Sequence, residues 1–254
     1  VGIVGTENQG AIAQTVGNEN KATIEKCYVS GSITATGSKK NGVGGLIGAA
    51  QNTQGAPLTI KNCVVNVDIT GEGSSLAGGL IGSVSWSNAV TIEKCITMGS
   101  VSANLGRGVG GLVGGPNKIV TINKSAALQE EVSTKGLKYY VDRIFGYANS
   151  NTVYVGGEQN FAYQDMRVKC GDELLDKPKD GPELHRGVSV SKTDLLTADF
   201  WENKIGWGSA TENWKFDNNQ LPTIKMKRRN DNGNEEEVNI FSGADIPEYL
   251  EATE

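Results

Sequence analysis

The hexapeptide VGGLIG, Val43–Gly48, decides how the rest of the chain is read. It returns as AGGLIG at Ala77–Gly82 and as VGGLVG at Val109–Gly114. A glycine-rich loop can cradle phosphate, but the pattern GxxxxGK[ST] is absent and no helical stretch follows the glycines. The other reading is architectural. The closing glycines Gly48, Gly82 and Gly114 are 34 and 32 residues apart, and another 32 reaches Gly146 in VDRIFG. A second motif keeps the same period: TIEKC at Thr23–Cys27, TIKNC at Thr59–Cys63, TIEKC at Thr91–Cys95 and TINKS at Thr121–Ser125. Two motifs sharing one period of roughly 30 residues indicate a solenoid.

Each unit holds three short apolar segments, which in the first full unit are Thr23–Val29, Ser32–Ala35 and Val43–Ile47. β-Branched residues dominate them, and glycine, serine and asparagine separate them. The expected fold is therefore all-β: a parallel β-helix with three strands per turn, turns stacking ~4.8 Å apart. Equivalent side chains then form columns. One holds Ile24, Ile60, Ile92 and Ile122; a second holds Cys27, Cys63, Cys95 and Ser125. A third holds Ile33, Ile69, Val101 and Val132, and a fourth Leu46, Leu80, Leu112 and Ile144. Gly44, Gly78 and Gly110 would stack, as would Gly45, Gly79 and Gly111, allowing a tight corner or a positive φ on every turn. Asp142 and Arg143 replace both glycines in the fourth unit, where a changed corner is expected. On the outside, Glu25, Lys61, Glu93 and Asn123 alternate in sign where charged, as a cross-strand register favours.

Composition fits a narrow interior. Among 254 residues, aromatics are 6% and glycines number 34, so a core of large side chains is not available. The formal charge is −5, which argues against a nucleic-acid surface. No apolar run is long enough for a membrane-spanning helix, so membrane insertion of this segment is not expected. Val1–Gly5, VGIVG, reads like the end of the hexapeptide, and an N-terminal piece with any targeting segment is expected to have preceded it.

The hexapeptide, the accompanying TIxxC and their period together resemble the GLUG motif, from Val1 to about Tyr147. Such repeats occur in bacterial surface proteins and in the N-terminal regions of streptococcal-type immunoglobulin A1 proteases. Asp194–Lys225, DLLTADFWENKIGWGSATENWKFDNNQLPTIK, is similar to the segment that closes such repeat regions. The resemblance implies a β-solenoid, extracellular placement and an adhesin-like or scaffolding role. It brings no catalytic residues, and the zinc motif HExxH of those proteases is absent.

The chain accordingly divides into a repeat β-helix over 1–150, an irregular excursion and C-terminal cap over 151–228, and a hairpin arm with an acidic tail over 229–254. Thr193–Asn203 reads as a short helix with Thr193 as N-cap. Trp201, Trp207 and Trp214 suit covering the open end of the coil, and are also the candidate ligand contacts, since such rings stack on sugars. Lys225, Lys227, Arg228 and Arg229 would face Glu235, Glu236 and Glu237 across a type I′ turn at Asn232-Gly233. Around Asp231 the ligand spacing of a calcium loop is incomplete.

Little catalytic chemistry is legible. The cysteines lack paired zinc-ligand spacing and read as buried, unreactive thiols, so neither metal nor cofactor is expected. His185 stands in a polar loop with no nucleophile motif beside it. The enzyme alternative is a β-helix polysaccharide hydrolase or lyase. Asp68, Ser100 and Glu131 fall in one outer column if one residue is inserted before Val132, and acids two turns apart lie ~9–10 Å from each other. The leading expectation is a non-enzymatic bacterial surface module, adhesin-like or a rigid spacer, whose partner is a host surface protein or a glycan.

Overall fold

The computed structural model describes residues 2–5, 9–16, 21–37, 42–51, 57–73, 76–85, 89–105, 107–116, 119–138, 141–146, 159–175, 186–209 and 213–251. They form a β-solenoid of about four turns built from parallel sheets. Each turn contributes to four ladders rather than three, because corners fall inside two of the three apolar segments. The first ladder stacks Ala22–Glu25, Leu58–Lys61, Val90–Glu93 and Val120–Asn123. The second carries Tyr28–Ala35 and Val64–Gly71, then the split pairs Ile96–Met98 with Ser100–Ala103 and Ala126–Ala127 with Glu131–Thr134. The third stacks Gln9–Gly10, Gly42–Gly44, Leu76–Gly78, Gly108–Gly110 and Val141–Asp142, and the fourth Ala13–Val16, Ile47–Gln51, Ile81–Ser85 and Val113–Pro116.

The register is the one the repeat requires. Thr23, Thr59, Thr91 and Thr121 pair in sequence, and so do Ile24, Ile60, Ile92 and Ile122. Ile33, Ile69, Val101 and Val132 are also in line, and the amides of Leu46, Leu80 and Leu112 each donate to the carbonyl of the next member of their column. These side chains fill the interior with β-branched and small groups. Val1–Gly5 falls elsewhere than expected: Gly2–Gly5 lies level with Ser32–Ala35, and the place of the hexapeptide in that turn belongs to Gln9-Gly10-Ala11-Ile12-Ala13.

Positive φ occurs at a different corner from the one expected. None of the stacked hexapeptide glycines adopts it. The left-handed non-glycine residues of the coil are Lys26, Asn62, Lys94, Lys124 and Gln159, with φ between 50° and 63°, one per turn just ahead of the cysteine column; Asn219, beyond the coil, is another. Only asparagine among them is suited to that conformation, which costs other side chains ~1–2 kcal/mol. Cross-turn hydrogen bonds hold them: the amides of Lys26, Asn62 and Lys94 donate to Lys61, Glu93 and Asn123 carbonyls.

The hexapeptide glycines are needed for contact. Within a turn the strand ending at Gly44 and the strand starting at Ile47 double back on each other with backbone against backbone, so a Cβ on Gly42 would overlap the Gly48 carbonyl. A Cβ on Gly44, Gly78 or Gly110 would also strike the following turn, at 2.6 Å from Gly82 N, 2.5 Å from Gly114 N and 2.5 Å from Gly146 N. Those Cβ atoms would also overlap Ile47 O, Ile81 O and Val113 O of their own turn. In the neighbouring column the clash points forward only, since a Cβ on Gly45, Gly79 or Gly111 would overlap Gly79 O, Gly111 O or Arg143 O of the next turn. The forward clash accounts for Arg143 at the end of that column. The corner there is retained, since Val109 and Gly110 pair with Val141 and Asp142 and Gly111 N–H donates to Arg143 O. Among the described residues Val141–Asp142 is the last strand of its ladder, and the backbone that lies beyond it, at Arg186 and Gly187, is held off by the Arg143 side chain that donates to both carbonyls. Gly146 survives because its Cβ would point backward, into Val109 N and Gly108 C.

Parallel stacking continues past the legible repeat. Phe161–Tyr163 pairs with Ala126–Ala127, Arg167–Cys170 with Glu131–Thr134, and Val188–Val190 with Phe161–Tyr163. The helix then starts two residues earlier than expected. Ser191 is its N-cap, accepting from Asp194 N–H; the helix spans Lys192–Leu195, and a separate wide turn spans Phe200–Lys204. From there the chain returns along the flank of the coil, on the side of the left-handed corner. Its antiparallel sheet of Trp214–Lys215, Thr223–Arg229 and Glu235–Phe241 includes the charged hairpin, with Arg228 on Glu236 at 2.6 Å and Lys225 on Glu237 at 3.0 Å. The hairpin loop is not type I′. Gly233 N–H donates to Asn230 O and Gly233 has φ 80°, a type I turn closed by a left-handed glycine. The final segment is docked rather than free: Tyr249 donates to Leu128 O at 2.8 Å, and Leu250 is buried.

Candidate functional surface

In the second ladder, strand alternation leaves two outward columns in water. Ser32, Asp68, Ser100, Glu131 and Arg167 are level with one another, as are Thr34, Thr70, Ser102, Ser133 and Lys169. The result is a strip of hydroxyls and carboxylates repeating at the spacing of the turns. The structure thus brings Asp68, Ser100 and Glu131 into one outer column, with the extra residue in the fourth turn at Leu128–Glu130. Gln129 tucks inward there, its Nε2 donating to Gly111 O at 2.7 Å.

The two acids are differently held. Ser100 Oγ donates to Asp68 Oδ1 at 2.8 Å. Glu131 lies 2.7 Å from Lys169 Nζ and 3.3 Å from Arg167 Nε. Burial pushes its carboxyl up, but the Lys169 hydrogen bond and charge, with Ser133 and Arg167, outweigh that and hold it below the usual range. A general acid needs the opposite shift. What this strip offers chemically is multiple hydrogen-bonding sites for a polar ligand.

Trp201, Trp207 and Trp214 are brought together, but inside. They are 1–2% exposed, and their rings follow one another at 5.0 and 4.5 Å. Every indole N–H is committed: Trp201 donates to Leu195 O, Trp207 to Lys124 O and Trp214 to Asn62 Oδ1. They pack along the flank of the coil rather than across its end. Sequence reading missed the surface that receives them, an outward column of Tyr28, Val64, Ile96, Ala126 and Phe161. The signal was present: the cysteine column is followed by two adjacent apolar residues, as in CYV and CVV, and in a strand two neighbours cannot both face the interior.

The cysteine ladder is inward. Val64 N–H donates to Cys27 O, Ile96 N–H to Cys63 O and Ala126 N–H to Cys95 O. Each thiol bonds the carbonyl two residues earlier, at 3.2–3.3 Å. Cys63 and Cys95 are fully buried, while Cys27 and Cys170 are partly exposed. Burial, with the neighbouring Cys63, pushes the Cys27 thiol up to about 11. Native labelling with an alkylating reagent at pH 8 is therefore expected to spare Cys63 and Cys95 and to modify Cys27 slowly, with all four thiols reacting in denaturant. Rapid native loss of Cys63 or Cys95 would contradict the assignment. Among the described residues, no group of three or more cysteines, histidines or acids is arranged to hold a metal ion. His185 lies outside the described residues.

At the last hexapeptide turn, Arg143 is 2% exposed and donates to Arg186 O, Gly187 O and Ser189 Oγ at 2.8–3.0 Å. Asp142 beside it accepts from Arg143 N–H and lies 3.4 Å from Arg186 Nε. Burial pushes its carboxyl up to about 6 from 3.8, with Arg143 and Arg186 pulling the other way. A raised carboxyl favours the fold in its protonated form. That contribution is complete below pH ~4 and lost as pH rises through about 6. Asp142→Asn should match the native protein at pH 4 and exceed it at pH 7.5 by about 1–3 kcal/mol in urea unfolding. Equal stability at both pH values would refute this.

No protein-family model matches this chain, and no curated protein does. Its fold is similar to that of a putative immunoglobulin A1 protease from Bacteroides ovatus. The TM-score is 0.56 with 24% identical residues, over 92% of this chain and 61% of that one. The chain thus spans about three fifths of that protein's length, and at this identity the likeness concerns the fold.

Proposed function

We propose that this chain is a rigid, non-enzymatic module of a bacterial cell-surface protein, built from GLUG-type repeats and displayed outside the cell. It presents the polar strip of its second ladder to a host surface protein or a glycan. One observation carries the reading: Ser32, Asp68, Ser100 and their neighbours Thr34, Thr70 and Ser102 repeat in register on an open strand face, while the tryptophans are enclosed. A regular array of hydroxyls at one spacing matches a repeating ligand, where many weak hydrogen bonds add up. The fold shared with a putative immunoglobulin A1 protease supports a scaffold role for such a coil, and the docked C-terminal segment gives it stiffness.

The test is a binding screen of the purified chain against glycans and extracellular-matrix proteins, run beside a polysaccharide panel assayed for reducing ends and unsaturated products. Saturable binding that weakens in Ser100→Lys, with no turnover, supports the adhesin-like reading. Absence of both leaves a spacer. Product release that disappears in Asp68→Asn or Glu131→Gln would replace the proposal with the hydrolase or lyase alternative.

A further inference from the structure

In a coil, each turn touches its neighbours alone, so turns can open one after another. This one carries a segment that touches nearly all of them. Phe241 packs against Tyr28 of the first turn with ring centroids 4.9 Å apart and the rings tilted by 43°. Trp214 Nε1 donates to Asn62 Oδ1 of the second turn at 2.9 Å. In the third, Lys94 Nζ donates to Trp207 O at 3.2 Å and Gly99 N–H to the Tyr249 hydroxyl at 3.1 Å. In the fourth, Lys124 Nζ donates to Gly206 O, Trp207 Nε1 to Lys124 O and Tyr249 to Leu128 O, at 2.7–2.8 Å. Phe200 meets Phe161 of the fifth edge-on at 4.9 Å. The anchors on the flank are the left-handed corner residues Asn62, Lys94 and Lys124, whose conformation aims one side chain per turn at the returning chain.

We propose that residues 200–209 and 213–250 form a strap that makes the solenoid unfold as one unit rather than turn by turn. The strap is itself continuous, since the rings of Phe200, Trp201, Trp207 and Trp214 touch in sequence. Opening any turn strips a contact from a segment that the other turns still hold, so the cost of local opening approaches that of releasing the strap as a whole. The inference rests on the fold and is independent of what the module binds.

The cysteine ladder supplies the readout, because Cys63 reports the second turn and Cys95 the third, and Ser125→Cys extends the series to the fourth in the same column. The full chain is equilibrated in increasing urea, pulsed with an alkylating reagent, and scored site by site by mass spectrometry. The expected result is one common midpoint for all three sites. Two milder variants then loosen the strap: Lys94→Met with Lys124→Met, which removes both lysine bonds, and Tyr249→Phe, which removes both hydroxyl bonds. In at least one of them the midpoints should separate, in order along the stack. Separate midpoints in the unloosened protein overturn the proposal. So does a common midpoint in both variants, whether unchanged or lowered, because the strap would then add stability without coupling the turns.

Discussion

Gly79→Val is expected to melt far below the native protein, while Ser100→Ala melts with it. A Cβ on Gly79 would overlap the Gly111 carbonyl of the next turn, and would sit 2.7 Å from Gln129 Nε2 and 2.9 Å from Thr97 Cβ. Gly79 has no positive φ, so strain in its own backbone is not the cause. The obstacle is a peptide group that belongs to a stacked ladder and cannot move alone. Overpacking of a filled interior costs ~1–3 kcal/mol, and a fixed backbone obstacle places this change at about 3 kcal/mol or beyond. Ser100 stands on the open face, where a lost Oγ bond to Asp68 falls within ~0.5 kcal/mol. A swap isolates the cause. Gly110→Asp should be as damaging as Gly79→Val, yet native Asp142 occupies the same column one turn later. Thermal melts decide it, and a Gly79→Val protein with native melting and selectively lost ligand binding would return the hexapeptide to the role of a binding loop.

Trp214→Ala should remove about 3–5 kcal/mol, the range for deleting a large buried aromatic. The indole is 1% exposed, lies 4.5 Å from the Trp207 ring and donates to Asn62 in the second turn. Trp214→Phe keeps much of the packing but leaves Asn62 Oδ1 buried without that donor, at a cost of ~1–3 kcal/mol. Urea unfolding of both variants gives the order native, Phe, Ala. If Trp214 instead served a ligand, both variants would unfold like the native protein and differ in binding alone.

Much of the coil was legible because stacking forces like onto like. The threonine, isoleucine and cysteine columns each keep one residue type or size, so the register follows from spacing alone. The corners were less legible. Lys26, Lys94 and Lys124 take a left-handed conformation that lysine does not advertise, held at Lys26 and Lys94 by amide hydrogen bonds to the adjacent turn. The fifth turn was invisible because Asn160 replaces the cysteine. It mimics the missing contacts with its side chain, accepting from Ser125 N–H and donating to Ile122 O. The strap was misread as an end cap because tryptophan signals burial without saying against what. The polar strip was half visible: Asp68, Ser100 and Glu131 were aligned from spacing, but the lysine and arginine that hold Glu131 come from the turn that had lost its repeat.

Asp142 and Arg143 have a bearing on how such a coil avoids growing. A stack of parallel strands offers its last edge as a template, and an open edge recruits further strands from other molecules. The third ladder would be especially receptive, because its edge is nearly free of side chains and any glycine-rich strand could lie flat on it. Substituting the forward-facing pair puts an acid and an arginine where the next backbone would have to rest. The arginine is tied into three acceptors of its own chain and cannot step aside. The turn that needs no glycine thereby ends the third ladder, while the second ladder runs on through Phe161–Tyr163 and Val188–Val190, and the point at which this one edge closes is written into two residues.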